Sequence, residues 1–140
     1  MIGELLAGGL ASMACIAIHA TVMTLVVRVA ASGARRESVR PTLRLIAIMI
    51  ATVSVLMLAH FLEAMIWAAT YAIVGAAPDD ADLLYFAFVN YTTLGYGDVV
   101  PLARWQLLGP ATAMCGVLMF GWSTAVIFEV LRKAMAALRL

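Results

Sequence analysis

A chain of 140 residues in which 65% are hydrophobic and 12% charged stands far from soluble domains, which run at roughly 45–50% and about 25%, so a water-soluble globular fold is a poor reading. The length holds one small domain, and nine basic against eight acidic residues, net +1, supply no clustered basic face for nucleic acid. The two cysteines, Cys15 and Cys115, fall inside apolar runs and out of metal-ligand spacing, and read as small apolar packing residues.

Crossing about 30 Å of hydrocarbon takes roughly 20 helical residues, and three stretches qualify: 5–29, 43–74 and 105–131. The first follows Met1-Ile2-Gly3-Glu4, which has no basic residue, and its apolar run is longer than that of a secretory signal. It is expected to remain as an extra transmembrane helix over 1–30. A basic linker over 31–42 follows, broken by Gly33 and Pro41 and carrying Arg35, Arg36 and Arg40, with Arg28 and Arg44 on its flanks. The third span is followed by a short basic tail, 132–140, with Arg132, Lys133 and Arg139. Three spans put linker and tail on one side, which the positive-inside rule makes cytoplasmic. Glu4, Asp79, Asp80, Asp82 and Asp98 fall on the other side, so the amino terminus is expected outside and the carboxyl terminus inside.

The segment 75–104 is too polar to be a span and too apolar to be an ordinary loop. Pro78-Asp79-Asp80 is a helix-start signal, which predicts a short helix over 81–92, about 18 Å long at 1.5 Å per residue. That length enters a membrane without crossing it. Beyond it, Thr93-Leu94-Gly95-Tyr96-Gly97-Asp98 cannot comfortably continue a helix. Irregular backbone at membrane depth survives only where protein buries it or where it lines a water-filled path.

The run Thr92-Thr93-Leu94-Gly95-Tyr96-Gly97-Asp98 closely resembles the selectivity-filter signature of pore-loop potassium channels. The resemblance is close over 85–101 and holds in outline over 43–131, where it implies an outer helix (43–74), a pore helix (81–92), a filter (93–98) and an inner helix (105–131). The implied fold is an all-α membrane protein of three transmembrane helices plus a re-entrant pore helix and filter. The implied assembly is a homotetramer, because one chain cannot enclose an axis. Carbonyl oxygens of Thr93, Leu94, Gly95 and Tyr96, with the Thr93 hydroxyl, would replace the hydration shell of K+. Glycines at 95 and 97 suit this role, since they reach backbone conformations that turn successive carbonyls to one side. The carboxyl end of the pore helix, at 90–92, would aim partial negative charge at the permeant cation. No cofactor is implied beyond K+ itself.

The chain departs from the family pattern in places. A frequent tryptophan pair is replaced by Tyr85 and Phe86, a glutamate behind some filters by Val89, and the commonest filter valine by Leu94. Tyr85 is the candidate partner of Asp98, and Asn90 that of the Tyr96 hydroxyl.

Elsewhere, His60 and Glu63 share one face of the second span, roughly 24 and 28 Å above Arg44 and so level with the filter. Ionisable residues in a span are functional candidates. A brace on the pore helix, a proton-sensitive switch and a metal site compete, the last weakened because no third His or Cys is placed to complete it. His19 is alone on the first span and reads as a satisfied interhelical polar residue. Glu129, the one acid on the third span, either rings the cytoplasmic mouth of an assembled pore or pairs with Arg132 or Lys133. Gly116 is a gating hinge or a close-packing site, and Gly109-Pro110 is expected to kink the span. Trp67, Tyr71 and Trp105 read as interfacial anchors.

These readings converge on a passive potassium-selective channel, not an enzyme, in the plasma (inner) membrane of a bacterium. Anionic lipid headgroups are expected near Arg35, Arg36, Arg40 and Arg44. The rivals are a nonselective cation channel, a non-conducting pore-like regulatory subunit, and a membrane enzyme built on His60 and Glu63, which lacks a nucleophile.

Overall fold

The computed structural model describes residues 2–34 and 40–139. Among these the regular structure is entirely helical: α1 (Ile2–Ala34), α2 (Pro41–Val74), α3 (Leu83–Tyr91) and α4 (Leu108–Leu138), with one 3-10 turn at Ala103–Trp105. Three of the helices are long and apolar enough to cross a membrane.

Local chemistry sets the boundaries. Pro41 opens α2, where its missing N–H costs nothing. Gly75 closes the helix in the left-handed conformation, at φ 62° and ψ 55°, and the Ala76 N–H returns to the Tyr71 carbonyl at 3.0 Å. The short helix α3 begins at Leu83 and ends at Tyr91, inside the expected 81–92. Its cap is Asp82, whose Oδ1 accepts from the N–H groups of Leu84 and Tyr85 at 3.0 Å each. Pro78 through Ala81 instead form a turn closed by Ala81 N–H to the Pro78 carbonyl at 3.0 Å.

Other boundaries also differ from expectation. The first helix continues through Ala34 rather than stopping at 30, and α2 already includes residues 41 and 42. The linker therefore narrows, and Arg35 and Arg36 lie outside the described residues. The last span starts at 108, not 105, and runs to 138, so the expected tail is the end of a helix. Glu129 pairs there with Arg132 at 2.9 Å and Lys133 at 3.0 Å, at the i,i+3 and i,i+4 spacings that reinforce a helix. Gly109-Pro110 falls in the first turn of α4, where proline has no helical bond to break.

The helices pack in two tiers. One core, at the Glu4 end, takes Cys15 from α1, Trp67 and Tyr71 from α2, Phe86 and Tyr91 from α3, and Leu108 and Met119 from α4. The other joins Met23 and Val26 of α1, Leu56 of α2, and Val126 and Val130 of α4. Helix α1 runs parallel to α4, and their amino ends are tied by the Leu107 N–H donating to Glu4 Oε1 at 3.0 Å. That carboxylate sits at the amino end of α4, where the helix dipole favours an anion.

Trp67 and Tyr71 are core residues, fully buried, rather than interfacial anchors. The Tyr71 ring stacks against Phe86 at 4.9 Å, its hydroxyl pairs with Thr112 at 2.5 Å, and it accepts from Asn90 Nδ2 at 3.3 Å. An aromatic residue whose polar tip is satisfied inside has no need of the headgroup layer. Within the single chain the Asn90 amide turns to Tyr71, while the Tyr96 side chain stands exposed.

Candidate pore loop and the polar cluster behind it

The loop after α3 owes its shape to its backbone. Helix α3 ends when Thr92 N–H bonds to the Phe88 carbonyl at 2.9 Å and Thr93 N–H to the Asn90 carbonyl at 3.0 Å. Leu94 and Gly95 both point their N–H groups at the Val89 carbonyl, at 2.9 and 3.3 Å. The chain then has positive φ at alternate positions, 61° at Thr93, 59° at Gly95 and 79° at Gly97. Positive φ at every second residue can cancel the strand-like reversal of successive peptide planes, so that their carbonyls can face one side. Glycine takes this conformation freely. At Thr93, a β-branched residue, it is strained, and such strain is held only where surrounding structure fixes it.

One flank of the loop is anchored by Tyr85, whose hydroxyl donates to Asp98 Oδ2 at 2.6 Å. The Val99 N–H donates to the other oxygen of the same carboxylate at 3.0 Å. The Tyr85 bond holds the Asp98 carboxyl below the ordinary aspartate range, and Asp98 in turn pushes the Tyr85 phenol up to about 12. Asp79, Asp80, Asp82 and Asp98 are all exposed at this end of the molecule. The filter-like residues Thr92 through Gly97 are exposed as well, Leu94 at 55% and Tyr96 at 67%. Two large apolar or aromatic side chains presented outward on an irregular loop mark a face suited to packing against protein.

Behind α3, four helices converge on a buried polar cluster. Glu63 of α2 is fully buried, as is His19 of α1. Glu63 Oε1 lies 2.7 Å from His19 Nδ1, and Glu63 Oε2 accepts from the hydroxyl of Tyr91, the last residue of α3. His60 Nδ1 reaches the same hydroxyl at 3.0 Å and Glu63 Oε2 at 3.3 Å. His60 Nε2 lies 2.9 Å from Ser123 Oγ of α4, and Ser123 Oγ lies 3.4 Å from His19 Nε2. The rings of Trp122 and Phe120 close over the two imidazoles at 5.3 and 4.6 Å.

Sequence spacing brought His60 and Glu63 together but left out three members. His19 looked solitary because its partners lie 44 and 104 positions away. Tyr91 and Ser123 carried one available signal: a polar group inside an otherwise apolar helical stretch needs a partner. The absence of a third potential ligand is corrected, since His19, His60 and Glu63 offer ligand atoms within 4.8 Å of one another. The direct contacts of 2.7 and 3.0 Å leave room between donor and acceptor for a hydrogen atom. Zn–N bonds of 2.0–2.1 Å would spread tetrahedral ligands to about 3.3 Å, so the packed geometry fits protons rather than a metal.

The remaining candidates are placed plainly. A Cβ built on Gly116 would come 1.9 Å from the Tyr91 carbonyl oxygen, so α4 and the end of α3 meet backbone to backbone there. Glu129 is committed to Arg132 and Lys133 near the other end of α4. Arg40 and Arg44 lie at the start of α2, with Arg44 contacting the Gly33 carbonyl.

No curated protein and no solved structure matches the chain. A family model does: that of the ion channels, over residues 60–133. The matched stretch takes in the C-terminal part of α2, all of α3, the loop with alternating positive φ, and most of α4. It exceeds half of the chain, and the protein belongs to the ion channel family.

Proposed function

We propose that this protein is a potassium-selective channel, in which four copies bring their loops around one axis and K+ passes down its electrochemical gradient. The observation that carries the reading is the alternation of positive φ at Thr93, Gly95 and Gly97 within the run Thr92 to Asp98. That backbone is what a ring of inward carbonyls from Thr93, Leu94, Gly95 and Tyr96 requires, with K+ as the ligand whose water shell they replace. Exposure of Leu94 and Tyr96 in the single chain supports the tetramer, because these side chains would then pack against neighbouring copies. The exposed acids raise the local cation concentration at the outer mouth.

In this reading α1 and the loop face outward at the Glu4 and Asp98 end, and Arg40, Arg44 and the end of α4 face the cytoplasm of a bacterial cell. Anionic lipid headgroups meet Arg35, Arg36, Arg40 and Arg44. The chain does no covalent chemistry.

The test is flux from liposomes holding the purified protein, with K+ and Na+ compared under the same gradient. A K+ flux many-fold above that of Na+ is expected. Equal rates would make it a nonselective cation channel, and no flux from a correctly assembled tetramer would make it a non-conducting subunit.

A further inference from the structure

Five side chains from four helices bond in a closed ring: Glu63 to His19, His19 to Ser123, Ser123 to His60, His60 to Tyr91, and Tyr91 back to Glu63. Each contact needs one hydrogen. With Glu63 ionised and both imidazoles neutral, His19, His60, Tyr91 and Ser123 supply one apiece, four for five contacts. Tyr91 donates to Glu63, His60 Nδ1–H to the Tyr91 oxygen, Ser123 to His60 Nε2, and His19 Nδ1–H to Glu63. What remains is the contact between His19 Nε2 and Ser123 Oγ, where two lone pairs would meet. It is the longest contact in the ring, at 3.4 Å.

One added proton on His19 Nε2 removes both defects at once. It gives Ser123 a donor and closes the ring, and it turns a buried net charge of −1 into a neutral carboxylate–imidazolium cluster. Burial of an unbalanced charge in apolar surroundings is the costlier state.

The groups around the ring do not supply that charge by other means. On α1 the neighbour is the Cys15 thiol, 3.8 Å from the Glu63 carbonyl oxygen. On α4 it is Cys115, a free buried thiol. On α3 it is Tyr91 itself. Among the described residues the ion-pair partners of Glu63 are His19 and His60.

We propose that this ring is a buried binding site for a single proton, carried by His19, and that its occupancy holds the carboxyl end of the pore helix in place through Tyr91. The connection is short: Tyr91 belongs to the ring by its hydroxyl, abuts Gly116 by its carbonyl, and is joined directly to Thr92 and the loop. Loss of the proton breaks the closure between α1 and α4 and leaves Glu63 unbalanced beside Tyr91, which loosens the base of the loop. Potassium flux then falls as pH rises. This coupling rests on the channel reading; the proton site itself does not.

Two measurements separate them. The chain has only two histidines, so nitrogen-15 histidine labelling and solid-state NMR of the protein in bilayers resolve each one. At pH 7 one imidazolium and one neutral imidazole per chain are expected, with the imidazolium signal absent in His19→Gln. Two neutral rings in the unmodified protein would overturn the proton site, whether or not the protein conducts.

In liposomes, K+ flux at pH 9 is expected to be several-fold below that at pH 6, with the difference abolished in His19→Gln. A flat profile in a conducting protein would overturn the coupling. Absence of flux at every pH, with an imidazolium present, would instead sink the channel reading and leave the proton site standing.

Discussion

Gly116 of α4 lies directly against the carbonyl of Tyr91, the residue that ends α3, with no space for a side chain between them. The obstacle is backbone, which cannot swing aside as a flexible side chain would. Gly116→Ala must push α3 and α4 apart, and overpacking of this kind typically costs about 1–3 kcal/mol. A fall of several degrees in the thermal midpoint of the detergent-solubilised protein is expected. An unchanged midpoint would return Gly116 to a hinge role.

The Tyr85–Asp98 bond predicts a pH response with a definite sign. Asp98 is held below its ordinary value of 3.8, so its contribution is present above that value and lost as pH falls through the lower, folded one. Tyr85 is raised from 10.0 to about 12, so on the alkaline side the bond keeps its full contribution below 10 and gives it up as pH rises through 12. Between pH 5 and 9 neither end titrates. Loop anchoring, read as protection of the 94–99 amides from hydrogen exchange, should be level across that window and weaken under strong acid. In Tyr85→Phe the protection is expected to be reduced already at neutral pH.

Gly95 meets nothing within 4 Å where a Cβ would stand, but its φ is +59°. The penalty of Gly95→Ala is therefore one of backbone conformation, about 1–2 kcal/mol. It is concentrated at the position where the alternation has to hold. Flux is expected to be lost while the protein still inserts and assembles, as judged by size-exclusion chromatography beside the unmodified protein. Retained flux would separate conduction from this loop.

Glu129 is paired at the helix surface, where such bridges contribute about 0.2–1 kcal/mol. Glu129→Gln should shift the melting point slightly and leave single-channel conductance unchanged. A clear drop in conductance would instead put four carboxylates at the inner mouth.

How much of this was legible beforehand depends on the distance over which the cause acts. The spans at 5–29, 43–74 and 105–131 follow from apolar length, and helices over these stretches are found, each extended at one or both ends. The 95/97 glycine pair announced an irregular backbone, and both residues have positive φ, but nothing in the residue types signalled that Thr93 joins the alternation. Helix α3 starts later than composition suggests because Asp79, Asp80 and Asp82 are equally good caps by residue type, and the turn from Pro78 to Ala81 decides among them. Trp67 and Tyr71 depart from the anchor role their sequence positions suggest for a related reason. Aromatic residues near the end of a span are anchors when lipid surrounds them and core when another helix covers them, and coverage by α3 is a tertiary fact.

The cluster behind α3 is half visible in the sequence. His60 and Glu63 sit three positions apart, within reach of a helical-face argument. The contribution of His19 depends on α1 packing against both α2 and α4, and no local pattern encodes that approach.

The placement of His19 changes what counts as the smallest workable subunit. Without α1, the Glu63 carboxylate would lose its 2.7 Å partner and Ser123 one neighbour. The start of α4 would also lose the Glu4 oxygen that receives Leu107 N–H. A version lacking α1 would thus keep a buried Glu63 carboxylate held by His60 and Tyr91 but without the His19 imidazole. In this protein the leading helix is part of the frame, and any attempt at a minimal pore has to replace that imidazole or neutralise the acid it serves.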